Sequence, residues 1–467
     1  MAFTEFYVQS TGSNLNAGST TDNAAVFTYA AGTFVRSTGV FTVASENPLT
    51  DGVAVGDWAS IYTTAGATVA TFVARVTARG ATTITVSLTA IAGATSTVDE
   101  SAGAATCKIG GAWAGPAAAV DFPFDFAAAA LKNAAGNYPR VNYKAATYTI
   151  TAGIVCVAGL ITHEGYTTTA GDGGRATFAS SAPGGTGFTQ ITLANDVTLA
   201  CLSFAQAGAT AGTAFGLVAA SYNALRRVVV SGSPLDGFAL GAVFGVHVEE
   251  CEAYENNTRN LAGYGGFKSA SQLNLVRCIA HDNTGANNDG FIVGGTGLTL
   301  ESCIADRNGR YGVRVVGSGR SALVRGCVSY KNGSHGFYSD GAAVVAFESC
   351  ISERNTGYGF ALSTATPARA TSRRNCKTSN NTGGATLNFG NVAESGNIDD
   401  STDCLADMTG ARPTTGDFTP TGTAIAAGRG SFTQTGTQYS STTTSVPNIG
   451  VVQTAGTGGS SGHRATF

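Results

Sequence analysis

The sequence predicts an all-β solenoid, a parallel β-helix, preceded by a small antiparallel β domain and followed by a short C-terminal β segment with a tail. One motif written six times carries the prediction: CEAYEN, CIAHDN, CIADRN, CVSYKN, CISERN and CKTSNN. Its cysteines stand at 251, 278, 303, 327, 350 and 376, and each Asn follows five residues later, so the repeat is 23 to 27 residues long. A period in that range marks a solenoid. The second observation is the rest of the repeat. Alternating apolar pairs precede the Cys (Val246 and Val248, Leu273 and Leu275, Leu298 and Leu300, Val345 and Phe347). Gly and an apolar residue follow the Asn (Gly266-Phe267, Gly290-Phe291, Gly312-Val313, Gly336-Phe337, Gly359-Phe360). Short period-2 runs broken by Gly and Asn are strands. Three per turn, stacked in parallel at about 4.8 Å, place the Cys column inside and the Asn column in a bend, its amides bonding backbone and one another.

On these residues the chain resembles the right-handed parallel β-helix of pectin-lyase-like proteins, over roughly 120–453. The handedness comes from the resemblance and agrees with the rule for parallel crossovers. This fold hosts lyases, hydrolases, epimerases and binding proteins, so the likeness predicts architecture before chemistry.

Composition sets further bounds. The chain has 467 residues, of which only 12% are charged, and 63 glycines, as a turn-rich β solenoid would. A net charge of −3 without a basic cluster argues against a nucleic-acid partner. MAFTEFYVQS lacks a secretory signal, and no apolar run is long enough for a membrane span, so no membrane insertion is expected. The ten cysteines then read as reduced thiols. Neighbouring in-register side chains suit stacking better than a disulfide, and there is no C-x-x-C pair for zinc.

In chain order, residues 1–118 form the N-terminal β domain, 119–400 the β-helix and 401–467 the closing coils and tail. FYVQSTGSNLNAGST (6–20) resembles a β-helix lead-in strand. Residues 34–91 alternate evenly, as a small barrel or sandwich does, and Trp113 in KIGGAWAGP is placed over the junction. Phe126 to Lys132 is the one helical patch, and with GNYPRVNYKAATYTI (136–150) it resembles the helix-capped first coil of such proteins. A terminal rung exposes strand edges that need a cover. EGYTTTAGDGGRATF (164–178) resembles a segment of phage-encoded β-helices, and 417–430 and 447–453 resemble closing coils.

The polar residues between Cys and Asn form two columns: Tyr254, His281, Asp306, Tyr330, Glu353, and Glu255, Asp282, Arg307, Lys331, Arg354. Glu255 and Asp282 are expected as vertical neighbours about 5 Å apart, near the spacing of a retaining glycosidase, with Asp306 supporting. Like charges so close raise one pKa, as a general acid requires. The alternative is a solvated bend of weak surface pairs. Tyr254, Tyr264, His281, Asp289 and Arg307 are the candidate sugar-binding residues, with ordinary bend filling as their alternative. The five histidines have no metal-ligand spacing, GDGG (171–174) and GTGG (457–460) lack a phosphate-loop context, and no metal or cofactor is implied.

Two functions fit. The chain resembles virion-associated tailspikes, which implies a homotrimer that docks on a phage tail or adaptor protein, is assembled in the host cytoplasm, and recognises and often cleaves bacterial surface polysaccharide. Alternatives are a bacterial lyase or epimerase, for which Arg307, Lys331 or Arg354 would be the base but no Asp cluster for Ca²⁺ is present, and a non-enzymatic capsid decoration or fibre protein. The residue between the Cys and the small residue faces outward. The column Ile279, Ile304, Val328, Ile351 is therefore expected to be exposed on a lone solenoid and to form the trimer interface.

Overall fold

The computed structural model describes residues 4–13, 16–63, 72–88, 100–113, 138–150, 154–156, 159–180, 191–206, 217–241, 244–270, 273–317, 321–340, 343–363, 371–389, 393–395, 397–400, 432–434 and 451–453. The helical patch at 126–132 and most of the expected closing coils lie outside these residues. The chain forms two compact units, Met1–Val229 and Val230–Phe467.

The first unit joins a closed antiparallel barrel to rungs of parallel strands. The barrel order is Phe27–Val35, Val40–Thr42, Thr83–Val86, Phe72–Arg79, Trp58–Thr63 and Glu100–Ile109, the last pairing back onto the first. Closure leaves no free edge, and Phe34, Phe41, Ile61, Phe72, Val76 and Ile84 fill the lumen. The helix Pro48–Asp51 is capped by Asn47, whose side chain accepts from Leu49 and Thr50 N–H. Thr4–Val8 stands outside the barrel, in parallel with Pro139–Lys144, which pairs with Ile161–Tyr166. The lead-in segment is therefore itself a rung. Trp113 lies where the two architectures meet. It is fully buried, stacked on Phe6 at 5.3 Å, while Phe6 meets the barrel residue Trp58 edge-on at 5.0 Å. Gly18, at φ +75°, passes so close that a Cβ would sit 2.2 Å from the indole.

The second unit is the ladder read from the sequence. Three parallel sheets run through it. The first holds Val246–Glu249, Leu273–Val276, Leu298–Glu301, Ser321–Arg325, Val344–Glu348, Ser372–Arg374 and Ala393–Ser395. The second holds Phe238–Leu240, Tyr264–Ser269, Asn288–Val293, Val313–Val315, Phe337–Ser339, Tyr358–Leu362 and Gly384–Leu387. The third holds Glu252–Tyr254, Ile279–His281, Ile304–Asp306, Val328–Tyr330, Ile351–Glu353, Lys377–Ser379 and Ile398–Asp400. Pairing keeps the motif in register from rung to rung, for instance Ile279 with Ile304 and Phe291 with Val313. Inside, Phe238, Phe267 and Phe291 stack at 4.5 and 5.0 Å, and all six cysteines of the motif are buried free thiols. Cys303 Sγ donates to Leu275 O at 3.3 Å, so each thiol acts as a small core hydrophobe with a weak donor.

The Asn column forms the expected amide ladder. Asn283 Nδ2 donates to Asn308 Oδ1 at 2.7 Å, Asn308 to Asn332 at 3.0 Å, Asn332 to Asn355 at 2.9 Å, and Asn355 to Asn381 at 2.9 Å. Glycine at 312 is required by this ladder, since a Cβ there would stand 2.2 Å from Ser329 Oγ and 2.8 Å from Asn332 Nδ2. Arg373 ends the apolar interior. It takes the inward place above Phe347 and, itself buried, is held by the exposed carboxylates of Asp399 (2.8 Å) and Glu394 (2.7 Å) in the last rungs.

One expectation fails. The column Ile279, Ile304, Val328, Ile351 is 1%, 3%, 4% and 5% exposed in the single chain. Its neighbours in the same outward register, Glu252 and Lys377, are buried too. Register alone does not give the exposure of these side chains. With no apolar strip open on the lone chain, the physical reason for placing a trimer interface there disappears.

Candidate functional site

Each of the six rungs that carry the Cys–Asn motif is bracketed, in the third sheet, by two residues in the left-handed region. One precedes the Cys (Glu250, Arg277, Ser302, Ser349, Asn375, with Gly326 in the same place) and one precedes the Asn (Glu255, Asp282, Arg307, Lys331, Arg354, Asn380). Left-handed backbone is unfavourable for most side chains, so each rung accepts this strain to turn sharply at both ends of a three-residue strand. The two polar columns therefore differ in kind. The first lies on the strand and the second lies in the turn.

The predicted residues largely assemble. His281, buried, meets Glu252 Oε1 through Nε2 and Asp282 Oδ2 through Nδ1, both at 2.8 Å, and Tyr254 stacks on its ring at 5.1 Å. Arg307 donates through Nε to Asp282 Oδ1 at 2.8 Å and pairs with Asp306 at 2.6 Å. Burial alone would lower the His281 pKa, but the bonds to Asp282 and Glu252 outweigh it and raise it to about 9. Burial would raise Asp282, yet His281 and Arg307 hold it well below the usual carboxylate range. For Asp306 burial wins over Arg307, and its pKa is pushed up to about 6. Its Oδ1 has no hydrogen-bond partner among the described residues. Of these two neighbouring acids the raised one is thus Asp306 and not Asp282. Glu255 is exposed in its turn.

The other two predicted residues, Tyr264 and Asp289, lie in the second sheet, and Asp289 belongs to a column that the sequence reading missed. It consists of the residue before each Gly-apolar pair: Asp236, Gly265, Asp289, Tyr311, His335 and Tyr358. The two Asp-Gly-Phe stretches behave alike. Asp236 Oδ1 accepts from Gly265 N–H at 2.8 Å, and Asp289 Oδ1 accepts from Tyr311 N–H at 3.3 Å, each carboxylate reaching one rung onward. Asp289, fully buried, is gripped by Arg310 through both oxygens (2.7 and 2.6 Å), with Arg314 at 3.6 Å. Asp236, equally buried, has Lys268 Nζ 3.9 Å from Oδ2, and burial, against that ammonium, raises its pKa to about 7. Lys268 also lies over the Tyr264 ring at 4.3 Å. Beyond the acids the column turns aromatic. Tyr311 and Tyr338 stack at 4.4 Å and 8°, His335 lies 5.6 Å from both, and Tyr358 is 5.7 Å from His335. The Arg310 guanidinium covers Tyr311 at 4.8 Å. These rings are half-buried. The signal that would have found them is positional: fixed placement before an invariant Gly, whatever the residue type.

Among the described residues no group of three His, Cys, Asp or Glu side chains is arranged to hold a metal ion, and no helix is long and apolar enough to cross a membrane.

Residues 285–398 match the family model described as right handed beta helix region. No curated protein matches the sequence. Similar solved structures include the Dettilon tailspike protein gp208, at 12% identity and a TM-score of 0.39, over 57% of this chain and 53% of that one. The match thus spans about half of the tailspike's length. Pectate lyase Pel9A is similar at 14% identity and a TM-score of 0.38, over 61% and 81% of the two chains. The A-module of the Azotobacter vinelandii mannuronan C-5 epimerase AlgE4 is similar at 15% and 0.35, over 56% and 86%.

Proposed function

We propose that the chain is a receptor-binding virion protein of the tailspike kind, which binds bacterial surface polysaccharide along the second sheet of its ladder. The observation that carries this reading is the column of Tyr311, His335 and Tyr358 with Tyr338 beside it, flanked by ion-paired Arg310 and Arg314. A polysaccharide repeats along its length, and so does this face. Rings with polar tips and fixed guanidiniums recur on rigid parallel strands and meet a chain of sugars with little ordering cost. In this reading the barrel of residues 27–109 docks on the phage tail or an adaptor protein. A homotrimer belongs to the same reading, with an interface away from the Ile279 column. Retention of the full chain on immobilised O-antigen and capsular polysaccharides tests the proposal. Binding that is lost in Tyr338→Ala supports it, and failure to retain any of them refutes it.

A second reading, in which the bound glycan is also cut, is favoured by the divergence of two adjacent carboxylates on the third sheet. Asp282 is held ionised while Asp306 keeps its proton to about pH 6. Environments that push two carboxyl groups apart separate the acid from the base or stabilising anion. Asp306 is then the proton donor to the glycosidic oxygen, with Asp282 and Glu255 the neighbouring carboxylates. Reducing-end release and absorbance of unsaturated product distinguish hydrolysis, elimination and plain binding. Full cleavage by Asp306→Asn removes this assignment.

A further inference from the structure

The second-sheet face is cationic in composition but not in balance. Lys268, Arg310 and Arg314 are the basic side chains around the column, and each faces an acid: Lys268 faces Asp236, Arg310 holds Asp289, and Arg314 lies 3.6 Å from Asp289 and 3.3 Å from Asp340. The pairs are built to stay. Asp289 has no exposed surface and receives both prongs of Arg310. A ligand carboxylate that drew Arg310 away would leave Asp289 buried and uncompensated, which is strongly unfavourable. The face therefore has no cation to spare for a polyanion. What it does have at its surface is hydrogen-bonding capacity of both kinds, in the half-buried phenols Tyr311, Tyr338 and Tyr358, whose hydroxyls donate and accept.

Resting on the polysaccharide-binding reading, we infer that this face selects a neutral, hydroxyl-rich glycan and discriminates against polyuronates and other polyanions. A sugar hydroxyl both donates and accepts, so it pairs with a phenol in either sense. A carboxylate only accepts, and it meets Asp236 and Asp289 with like charge. Neutral recognition of this kind leaves an experimental signature, because burial and hydrogen bonding are screened little by salt, whereas attraction to a polyanion is screened strongly.

The experiment measures retention of the full chain at pH 8, where Asp236 is ionised. The ligands are a panel of purified O-antigen and capsular polysaccharides of known charge, with dextran and alginate as neutral and polyuronate references. The expected result is that every retained polysaccharide is neutral, that retention changes by less than about two-fold between 50 and 500 mM NaCl, and that Tyr338→Ala weakens it roughly ten-fold or more. Circular dichroism and thermal unfolding of Tyr338→Ala that match wild type assign its loss of binding to the missing ring and not to a damaged rung. Retention of a polyanion that falls with salt and is lost in Tyr338→Ala overturns the neutral-glycan inference while leaving polysaccharide binding in place. Neutral retention unaffected by Tyr338→Ala overturns the location. No retention of any polysaccharide overturns the underlying reading.

Discussion

Replacing Asn332 by Ala tests how much of the solenoid is held by its amide ladder. Asn332 is fully buried. Its Oδ1 accepts from both the backbone N–H and Nδ2 of Asn308 at 3.0 Å. Its Nδ2 donates to Ala305 O (3.1 Å), Ser329 Oγ (2.9 Å) and Asn355 Oδ1 (2.9 Å). Alanine removes all five bonds. Asn308 Nδ2 keeps Ala280 O at 3.0 Å, and Asn355 Oδ1 keeps the Asn332 N–H at 2.9 Å, so these groups stay satisfied. The Asn308 backbone N–H and the Ala305 carbonyl lose a partner in a place water does not reach. At about 1–3 kcal/mol for each of the two buried groups left unpaired, the loss is roughly 2–6 kcal/mol. Solenoids unfold as coupled neighbouring repeats, so a single global transition is a poor readout. Native-state hydrogen exchange at Asn308 and its rung neighbours reads the cost locally. Arg325→Ala, on an exposed position of the first sheet, serves as the control and should stay within about 0.5 kcal/mol. A loss below about 1 kcal/mol in Asn332→Ala would falsify the ladder as a main support and point to water replacing the amide.

Three further outcomes are expected. Thiol titration of the native protein should leave Cys278, Cys303, Cys327 and Cys350 unreactive until unfolding, since burial pushes each well above an ordinary thiol pKa; rapid labelling of all four contradicts the register. His281 should contribute stability that is complete below its unfolded value near 6.5 and is lost as pH rises through about 9, because its folded pKa is the higher one; stability curves of wild type and His281→Gln that run parallel from pH 6 to 10 refute the charged-imidazole network. Ile304→Asp and Val328→Asp should each collapse the ladder, as a buried unpaired charge does, and not release folded monomers; sedimentation with circular dichroism separates the two results, and folded variants of altered association state would restore the strip as an interface.

The ladder was legible because each rung repeats one steric solution. Only a small residue fits the Cys place and only an amide can bond both its own turn and the next, so composition itself repeats. The barrel was legible as a change of texture, since long alternating strands cannot be rungs. Other features left no such trace. The left-handed turns before Cys and Asn are filled by Glu, Arg, Ser, Asp, Lys and Asn, all of which the backbone tolerates once the neighbouring strands are fixed. The column before Gly reads Asp, Gly, Asp, Tyr, His, Tyr, which shares position but not chemistry, so inspection by residue type passes over it. Pairing Glu255 with Asp282 assumed that equal offset from Cys means equal surroundings. In the structure Asp282 is claimed by His281 and Arg307 while Glu255 is exposed.

The outer faces of the second and third sheets offer different chemistry for the same reason that the apolar strip fails as an interface. On the third sheet both outward columns are buried for most of their length, including Glu252, His281, Asp306, Glu353 and Lys377. Charges that deep must answer one another, and they do so in a chain from Glu252 through His281 and Asp282 to Arg307 and Asp306. Such a network fixes proton positions but gives a polymer little to grip. On the second sheet the acids are as deep, yet Lys268, Arg314, Tyr311 and Tyr338 above them keep partial exposure. A long ligand needs that accessible, repeated surface first, and a proton donor only after it is bound. In the proposed reading recognition accordingly belongs to the second sheet, and Asp306 would act in cleavage only if the bound chain reaches across the turn occupied by Asp282 and Arg307.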